Sequence, residues 1–339
     1  MGNSKTITDF DKELSEGATN AINVCLKLKP EERVTIIADN DCIEIASSLA
    51  AEIKKVGSPF SLMVIEDFAS RPIKSMPAAI LDDLSKSQVS IFCASAHEGE
   101  LRSRIEMTEV IDSHKIRHAH MVNIEKQIMK EGMRADFNKV DEISRRLIEK
   151  ARKTKIMRVR SNGGTDLTAE FSPKMKWIKT SGLISTEKWG NLPGGEIFTS
   201  PIKVDGVFVV DGVVGDYLCK KYGDLKNTPI TIEIKDSRIT NMSCDNKALL
   251  EEFTGYTMTD ENSNRVGEFA IGTNIALEHV IGNILQDEKL PTVHIAFGHP
   301  YTKYTGASWE STTHIDCVSV TCSAWFDGEL VMEKGKFVF

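Results

Sequence analysis

The stretch 265–320 reads RVGEFAIGTNIALEHVIGNILQDEKLPTVHIAFGHPYTKYTGASWESTTHIDCVSV and places acidic residues and histidines inside apolar, strand-like runs. In its last run, THIDCVSV, His314 and Asp316 are two residues apart. Alternate residues of a β-strand point to the same face of its sheet. We therefore expect the imidazole and the carboxylate to converge on one spot, as the ligands of a metal ion do.

Two earlier runs add candidates, since His294 lies in TVHIAFG and Glu268 enters the apolar run RVGEFAIG. An unpaired carboxylate in a buried strand is costly to desolvate, and a bound divalent cation would offset that cost. Taken singly, each residue is explained more simply as a hydrogen-bonded core residue or as a carboxylate that orients a histidine. Together, nitrogen and oxygen ligands suit zinc, cobalt, manganese or iron, so the combination favours metal binding.

A third candidate carboxylate follows the loop in WGNLPGGEIFTSP, where Glu196 leads into the apolar pair Ile197 and Phe198. The two glycines before it permit a close approach of backbone segments. An ordinary turn followed by an edge strand is the alternative interpretation.

A chain of 339 residues is too long for one ordinary core and predicts two domains. Residues 1–153 alternate β-branched runs with helix-like segments, which predicts an α/β domain with a parallel sheet, ending in a charged bridging helix over 141–153. Residues 154–339 consist of short strand-like runs separated by Gly, Asn and Asp turns. They predict a β-rich α+β catalytic domain with mostly antiparallel strands, which carries the candidate ligands.

Composition excludes several classes of function. The net charge of −7 without a basic cluster argues against nucleic acid as a partner. No apolar run approaches the length of about 20 residues needed to cross a bilayer, and the N-terminus lacks a secretory signal pattern. Seven scattered cysteines without CxxC spacing predict reduced thiols and a cytoplasmic location. The start, MGNSKT, formally fits an N-myristoylation pattern, although the match is short and stands alone.

Four ordered blocks resemble the thermophilic-type metallo-aminopeptidases, the family typified by aminopeptidases T and S. The blocks are NLPGGEIFTSP, RVGEFAIGTN with the downstream DEK, TVHIAFGHPY and SWESTTHID. The resemblance covers residues 162–316 and extends to the N-terminal half only in outline. It implies an α/β domain beside a β-rich catalytic domain, two divalent ions, a peptide substrate and a homodimer. By the same resemblance the metal ligands are Glu196, Glu268, His294, His314 and Asp316, and Tyr301 is the active-site tyrosine.

The resulting hypothesis is a metal-dependent aminopeptidase that releases N-terminal residues from peptides. Hydrolysis needs an activated water, a polarised carbonyl and a proton carrier, and a pair of zinc, cobalt or manganese ions meets the first two needs. We expect Glu268 to bridge the ions and relay a proton, and Tyr301 to donate a hydrogen bond to the tetrahedral oxyanion.

Two alternatives remain open. The same scaffold resembles ring-cleaving dihydroxypyridine dioxygenases, whose single iron is held by two histidines and an aspartate, a set that His294, His314 and Asp316 could supply. The chain is also shorter than the better-studied aminopeptidases and carries His299-Pro300 before Tyr301. The second alternative is therefore a catalytically weak, metal-binding relative.

Overall fold

The computed structural model describes residues 7–187 and 189–339, so the MGNSKT pattern lies outside the described residues. The chain divides into two compact units. The first contains the residues up to Asn138 together with Gly182–Gly194, and the second contains Lys139–Ser181 with Gly195–Phe339. Among the described residues, no helix combines the length and apolarity that crossing a bilayer requires.

The first unit is built on a parallel five-stranded sheet in the order β2-β1-β3-β4-β8. The first three strands of this sheet are apolar and buried almost throughout, as expected for a parallel sheet that is covered on both faces. This confirms the predicted parallel sheet. The strands are β1 Val34–Ala38, β2 Phe60–Val64, β3 Val89–Cys93, β4 Arg117–His120 and β8 Gly190–Asn191. The helices are α1 Ser15–Thr19, α2 Ile43–Val56, α3 Ala78–Leu84, α4 Leu101–His114 and α5 Lys126–Lys130, with a π-helical segment at Asn20–Cys25 and short 3₁₀ turns at Lys12–Leu14, Ile65–Asp67 and Gly132–Arg134.

The second unit contains two antiparallel sheets, which confirms the predicted β-rich half. An eight-stranded sheet has the order β12-β11-β10-β6-β5-β16-β17-β18, and a five-stranded sheet has the order β15-β14-β13-β9-β7. The strands are β5 Ile156–Arg160, β6 Asp166–Glu170, β7 Ile178–Thr180, β9 Glu196–Thr199, β10 Lys203–Val210, β11 Ile230–Lys235, β12 Arg238–Ser243, β13 Val266–Gly272, β14 Val293–Gly298, β15 His314–Ser319, β16 Ser323–Phe326, β17 Glu329–Glu333 and β18 Lys336–Phe337. The helices are α6 Phe137–Ala151, most of which belongs to this unit, α7 Asp216–Tyr222, α8 Lys247–Thr257, α9 Ile284–Asp287 and α10 Thr302–Thr305.

The two units divide at a different place from the predicted boundary after residue 153. Helix α6, predicted as a bridge at the end of the first domain, packs Leu147, Ile148 and Ala151 into the hydrophobic core of the second unit. Residues Gly182–Gly194 return to the first unit, where β8 pairs with β4. Helix α6 belongs to the second unit because its apolar face packs there. The many charged residues of the helix make that face difficult to recognise in the sequence. That each unit folds as an independent domain stays a prediction.

The five-stranded antiparallel sheet turns its apolar face into the core of the second unit. Phe269 and Ile271 of β13 and Ile295 and Phe297 of β14 all lie there and are at most 1% exposed. Burying a side chain of this size contributes roughly 1.5–3 kcal/mol. This face therefore fixes the sheet, and the alternate residues of the same strands point away from that core.

Gly272, the last residue of β13, allows the backbone around Leu290 to pass directly over the sheet. A Cβ atom at Gly272 would lie 1.8 Å from the Leu290 carbonyl oxygen, and the Gly272 N–H donates to the Thr292 carbonyl at 3.0 Å. Because the obstacle is backbone, it cannot rotate out of the way as a side chain could.

We predict that Gly272→Ala lowers the free energy of unfolding by about 1–3 kcal/mol, the usual cost of forced overpacking. Urea denaturation followed by tryptophan fluorescence measures the change. The matched control is Gly255→Ala in α8, where an added Cβ meets no described atom within 4 Å. There alanine should stabilise the helix by about 0.5–1 kcal/mol. Equal unfolding midpoints for the two variants would refute the proposed close approach.

Candidate metal centre

Strand register brings the five predicted ligands to one face of the five-stranded sheet. Glu268 pairs with Ala296, which in turn pairs with Asp316 on β15. Residues an even number of positions apart on one strand have side chains on the same face of the sheet. His294 is two residues from Ala296, and His314 is two residues from Asp316. Glu196 is opposite Gly272, His294 is opposite Ala270, and His314 is opposite Gly298. The expectation that His314 and Asp316 share a face is confirmed.

Small residues alternate with the ligands on this face of the sheet. Ala270, Gly272, Ala296 and Gly298 occupy the positions opposite or between the acidic residues and histidines. The Leu290 backbone passes directly over Gly272. The ligand side chains therefore share this face with the segment that carries Glu288 and Lys289.

The ligand atoms lie close enough to share cations. His294 Nε2 is 3.5 Å from Glu196 Oε2 and 3.6 Å from Glu268 Oε1. His314 Nε2 is 3.3 Å from Asp316 Oδ1 and 3.9 Å from Glu268 Oε2. Three groups have ligand atoms within 4.8 Å of one another: Glu196 with Glu268 and His294, Glu268 with His314 and Asp316, and Glu288 with His294 and Asp316.

Unpaired polar atoms show that these residues fit a cation. Both ring nitrogens of His294 and the Oε2 atom of Glu268 are buried and have no hydrogen-bond partner among the described residues. Buried polar atoms in folded proteins are nearly always paired, since an unpaired one costs free energy. Divalent ions bound at this face would satisfy these atoms, since nitrogen with oxygen is a donor set that such ions accept.

A buried lysine supplies positive charge at one end of the site. Lys289 is 1% exposed; its Nζ atom is 2.8 Å from Glu196 Oε1 and also contacts Glu288 Oε1. Burial would raise the pKa of Glu196, but the Lys289 ammonium holds that pKa below its usual value. For Glu288, burial dominates and raises the pKa to about 8 despite the lysine.

At the other end, His314 and Asp316 form an ion pair. Burial would lower the pKa of His314, but the Asp316 and Glu268 carboxylates raise it to about 10. Burial likewise opposes ionisation of Asp316, whose pKa is nevertheless lowered to about 2 by the His314 imidazole. Before a cation binds, His314 is therefore protonated at neutral pH. A metal ion must displace that proton, so its binding weakens as the pH falls.

His299 orients the other half of the site. The His314 Nδ1 atom is 2.9 Å from the His299 carbonyl oxygen, which can only accept, so Nδ1 carries a proton and Nε2 faces the carboxylates. The His299 ring accepts from the Tyr301 N–H at 3.0 Å, and its Nε2 atom is 2.7 Å from Glu310 Oε2. These contacts hold Tyr301 in a left-handed backbone conformation with φ of 51°.

The Tyr301 ring lies beside the candidate ligands. Its centroid is 4.6 Å from that of His314 and 5.8 Å from that of Phe198. Burial against these neighbours raises the pKa of the phenol, and the carboxylates of Glu268 and Asp316 raise it further, although 37% of the residue remains exposed. The hydroxyl therefore stays protonated and able to donate a hydrogen bond.

Sequence reasoning assigned no role to Glu288, Lys289 or His299, three residues that the structure brings to the site. The run Asp-Glu-Lys at 287–289 looks like a solvated turn, and its place in one of the four blocks that resemble the family was the signal that could have found it. His299 acts through its backbone carbonyl, which residue type does not reveal.

Comparisons with known proteins agree with this geometry. The family profile described as Thermophilic metalloprotease (M29) matches residues 131–318, more than half of the chain. The protein belongs to this metallopeptidase family, as the resemblance of its sequence blocks predicted. Membership implies a divalent metal and a peptide substrate. A search of curated proteins gives no match.

Two solved structures are similar over nearly the whole chain. AmpT from Thermus thermophilus has a TM-score of 0.71 at 18% identity and is matched over 98% of this chain and 100% of its own. The 2,5-dihydroxypyridine dioxygenase from Pseudomonas putida KT2440 has a TM-score of 0.67 at 14% identity, with 96% of each chain covered. At such identities the likeness establishes a shared fold and leaves the chemistry to the site residues.

We predict that a divalent cation raises the melting temperature of chelator-treated protein. A ligand that binds only the folded state contributes about 2.7 kcal/mol at a hundred times its dissociation constant. Differential scanning fluorimetry with and without Mn²⁺ or Zn²⁺ measures the shift. His294→Ala should reduce it, whereas His114→Ala, which removes an exposed imidazole on α4, should leave it unchanged. An identical shift in both variants would mean that the cation binds elsewhere.

Proposed function

We propose that this protein is an aminopeptidase whose two divalent cations are held by the side chains of one sheet face. The observation that carries the proposal is the convergence of acidic residues and histidines around unpaired buried atoms of Glu268 and His294. Membership of a metallopeptidase family supports hydrolysis of peptides. The proposed ligands are Glu196, Glu268, His294, His314 and Asp316.

Overlap between the groups supports two adjacent ions. Glu268 belongs both to the group with Glu196 and His294 and to the group with His314 and Asp316. Its two oxygens are directed to different histidines, with Oε1 near His294 and Oε2 near His314. A carboxylate placed in this way can bridge two cations. Zinc, cobalt and manganese all accept the nitrogen and oxygen donors present.

The residues divide the work of peptide hydrolysis. When bound, the ions supply Lewis acidity, which activates water and polarises the scissile carbonyl. Glu268 is the group best placed to take a proton from the water and return it to the leaving amine, because it lies between the two histidines. Tyr301 donates its hydroxyl proton in a hydrogen bond to the oxyanion that develops on the carbonyl.

One acidic side chain beside the proposed ligands suits exopeptidase action. Glu288 is not among the five proposed ligands, and its carboxyl group can accept a hydrogen bond from the amino terminus of a peptide. A peptide bond in the middle of a chain brings no ammonium group to that position. Release of N-terminal residues is therefore the form of peptidase activity that we propose.

The dioxygenase remains the second candidate because of its shared fold. It requires His294, His314 and Asp316 around one iron. Two ligand atoms at about 2.1 Å from one ion are at most about 4.2 Å apart. Within the described residues, each group of potential ligands contains one histidine, so that the two histidines fall in different groups. This arrangement favours the dinuclear hydrolase.

A reduced interior and dimerisation complete the proposal. The seven cysteines are all buried thiols, as expected for a protein of the cytoplasm. A homodimer is proposed from the sequence resemblance. A catalytically weak relative would keep the metal site but fail the activity measurements below.

We predict that Tyr301→Phe lowers kcat for aminoacyl arylamides by about ten-fold to a thousand-fold, the range expected for the loss of one oriented donor. Metal content, measured by mass spectrometry, should be unchanged. Tyr304→Phe, three residues along on α10, is the matched control and should keep wild-type turnover. Wild-type kcat in Tyr301→Phe would indicate that Tyr301 only packs against His314.

We predict that Glu268→Gln reduces bound metal from about two ions per chain towards one or none and abolishes anaerobic hydrolysis of leucyl arylamides. Losing the bridging charge leaves the second dication without a shared ligand. Exposed Glu261→Gln is the control, with unchanged metal content and activity. A wild-type protein that binds one iron, ignores arylamides and consumes oxygen with a hydroxylated pyridine would replace the hydrolase with the dioxygenase.

A further inference from the structure

Lys289 is among the largest fully buried side chains of the described residues, and it is the one that carries a charge. Its backbone is fixed on both sides, since its N–H donates to the Gln286 carbonyl at 2.9 Å and its carbonyl accepts from the Asn274 N–H at 3.0 Å. The neighbouring Leu290 backbone lies against Gly272 at the end of β13. The segment that carries Lys289 is therefore held in place by its backbone contacts, and its ammonium group lies at the site.

Glu196 is held by one oxygen only. Its Oε1 atom accepts from Lys289 Nζ at 2.8 Å and from Thr180 Oγ1 at 2.8 Å. Its Oε2 atom instead faces His294 Nε2 at 3.5 Å, which is too long for a hydrogen bond. The two donors on Oε1 thus fix the orientation of the carboxylate and leave Oε2 available.

Stability alone does not account for a lysine at this position. Taking an ammonium group out of water is costly, and an apolar side chain of similar volume often stabilises a protein as well as a buried ion pair does. Lys289 also contacts Glu288, so one cation fixes two carboxylates of the site at once.

We infer that Lys289 is a positioning residue that holds Glu196 with Oε1 engaged and Oε2 turned toward His294, so that one of two cation positions is assembled before its ion arrives. The inference rests on the proposed role of Glu196 as a ligand. It applies to the group of Glu196, Glu268 and His294. The group of Glu268, His314 and Asp316 contains neither carboxylate that Lys289 contacts.

A purely electrostatic role for Lys289 predicts the opposite change in metal affinity when the lysine is removed. If Lys289 were only a nearby positive charge, it would repel divalent ions, and its removal would tighten their binding. If it positions Glu196, its removal frees the carboxylate to rotate and weakens the binding of one ion. The sign of the change in affinity therefore separates the two roles.

The test is a calorimetric titration of chelator-treated wild type and Lys289→Met with Mn²⁺, without any substrate. We expect one of the two binding events to weaken by about ten-fold to a hundred-fold, the usual effect of losing a partner that orients a metal ligand, while the other is retained. Exposed Lys226→Met removes the same charge elsewhere and should bind both ions as wild type does. Unchanged or tighter binding in Lys289→Met, or loss of both ions from a folded chain, would overturn the inference.

Thr180→Val tests the same geometry through the second donor to Glu196 Oε1 and decides the matter if Lys289→Met does not fold. The same binding event should weaken by a smaller factor, and unchanged affinity would contradict the inference. Failure of the proposed function has a different signature. A folded wild type that binds fewer than two Mn²⁺ ions refutes the dinuclear site and the inference together, whereas two ions bound equally by wild type and the variants refute only the role of Lys289.

Discussion

The second unit depends on the charge interactions that stabilise buried carboxylates on its five-stranded sheet. Glu196 and Glu268 are at most 7% exposed, and Glu288 and Asp316 are largely enclosed beside them. Carboxylates in such surroundings are stable only when cations face them closely. Lys289 and the histidines supply part of that charge. The unpaired atoms of Glu268 and His294 indicate that more positive charge belongs there.

One face of strands β13 and β14 packs in the hydrophobic core, and the opposite face carries the candidate metal ligands. Phe269 and Ile295 anchor the sheet in the core, so the opposite face can carry groups that would otherwise destabilise it. Gly272 has no side chain to obstruct the Leu290 backbone on that face. The segment carrying Lys289 can then approach the sheet closely, which couples backbone packing to the orientation of Glu196.

The sequence predicted those parts of the fold and site that depend on local periodicity. The period of two placed His314 and Asp316 on one face, and alternating strand and helix patterns predicted the parallel sheet of the first unit. Tertiary contacts were harder to foresee. The Asp-Glu-Lys run resembles an exposed turn, and only the close approach at Gly272 brings Glu288 and Lys289 into the site. The return of Gly182–Gly194 to the first sheet has no local signal either.

The central claim is that one sheet face holds two catalytic cations. Anomalous diffraction from crystals grown with Mn²⁺ or Zn²⁺ tests it most directly. The account predicts two peaks, each about 2.0–2.3 Å from its ligand atoms, with Glu268 shared between them. A single peak enclosed by His294, His314 and Asp316, or peaks away from this face, would contradict it.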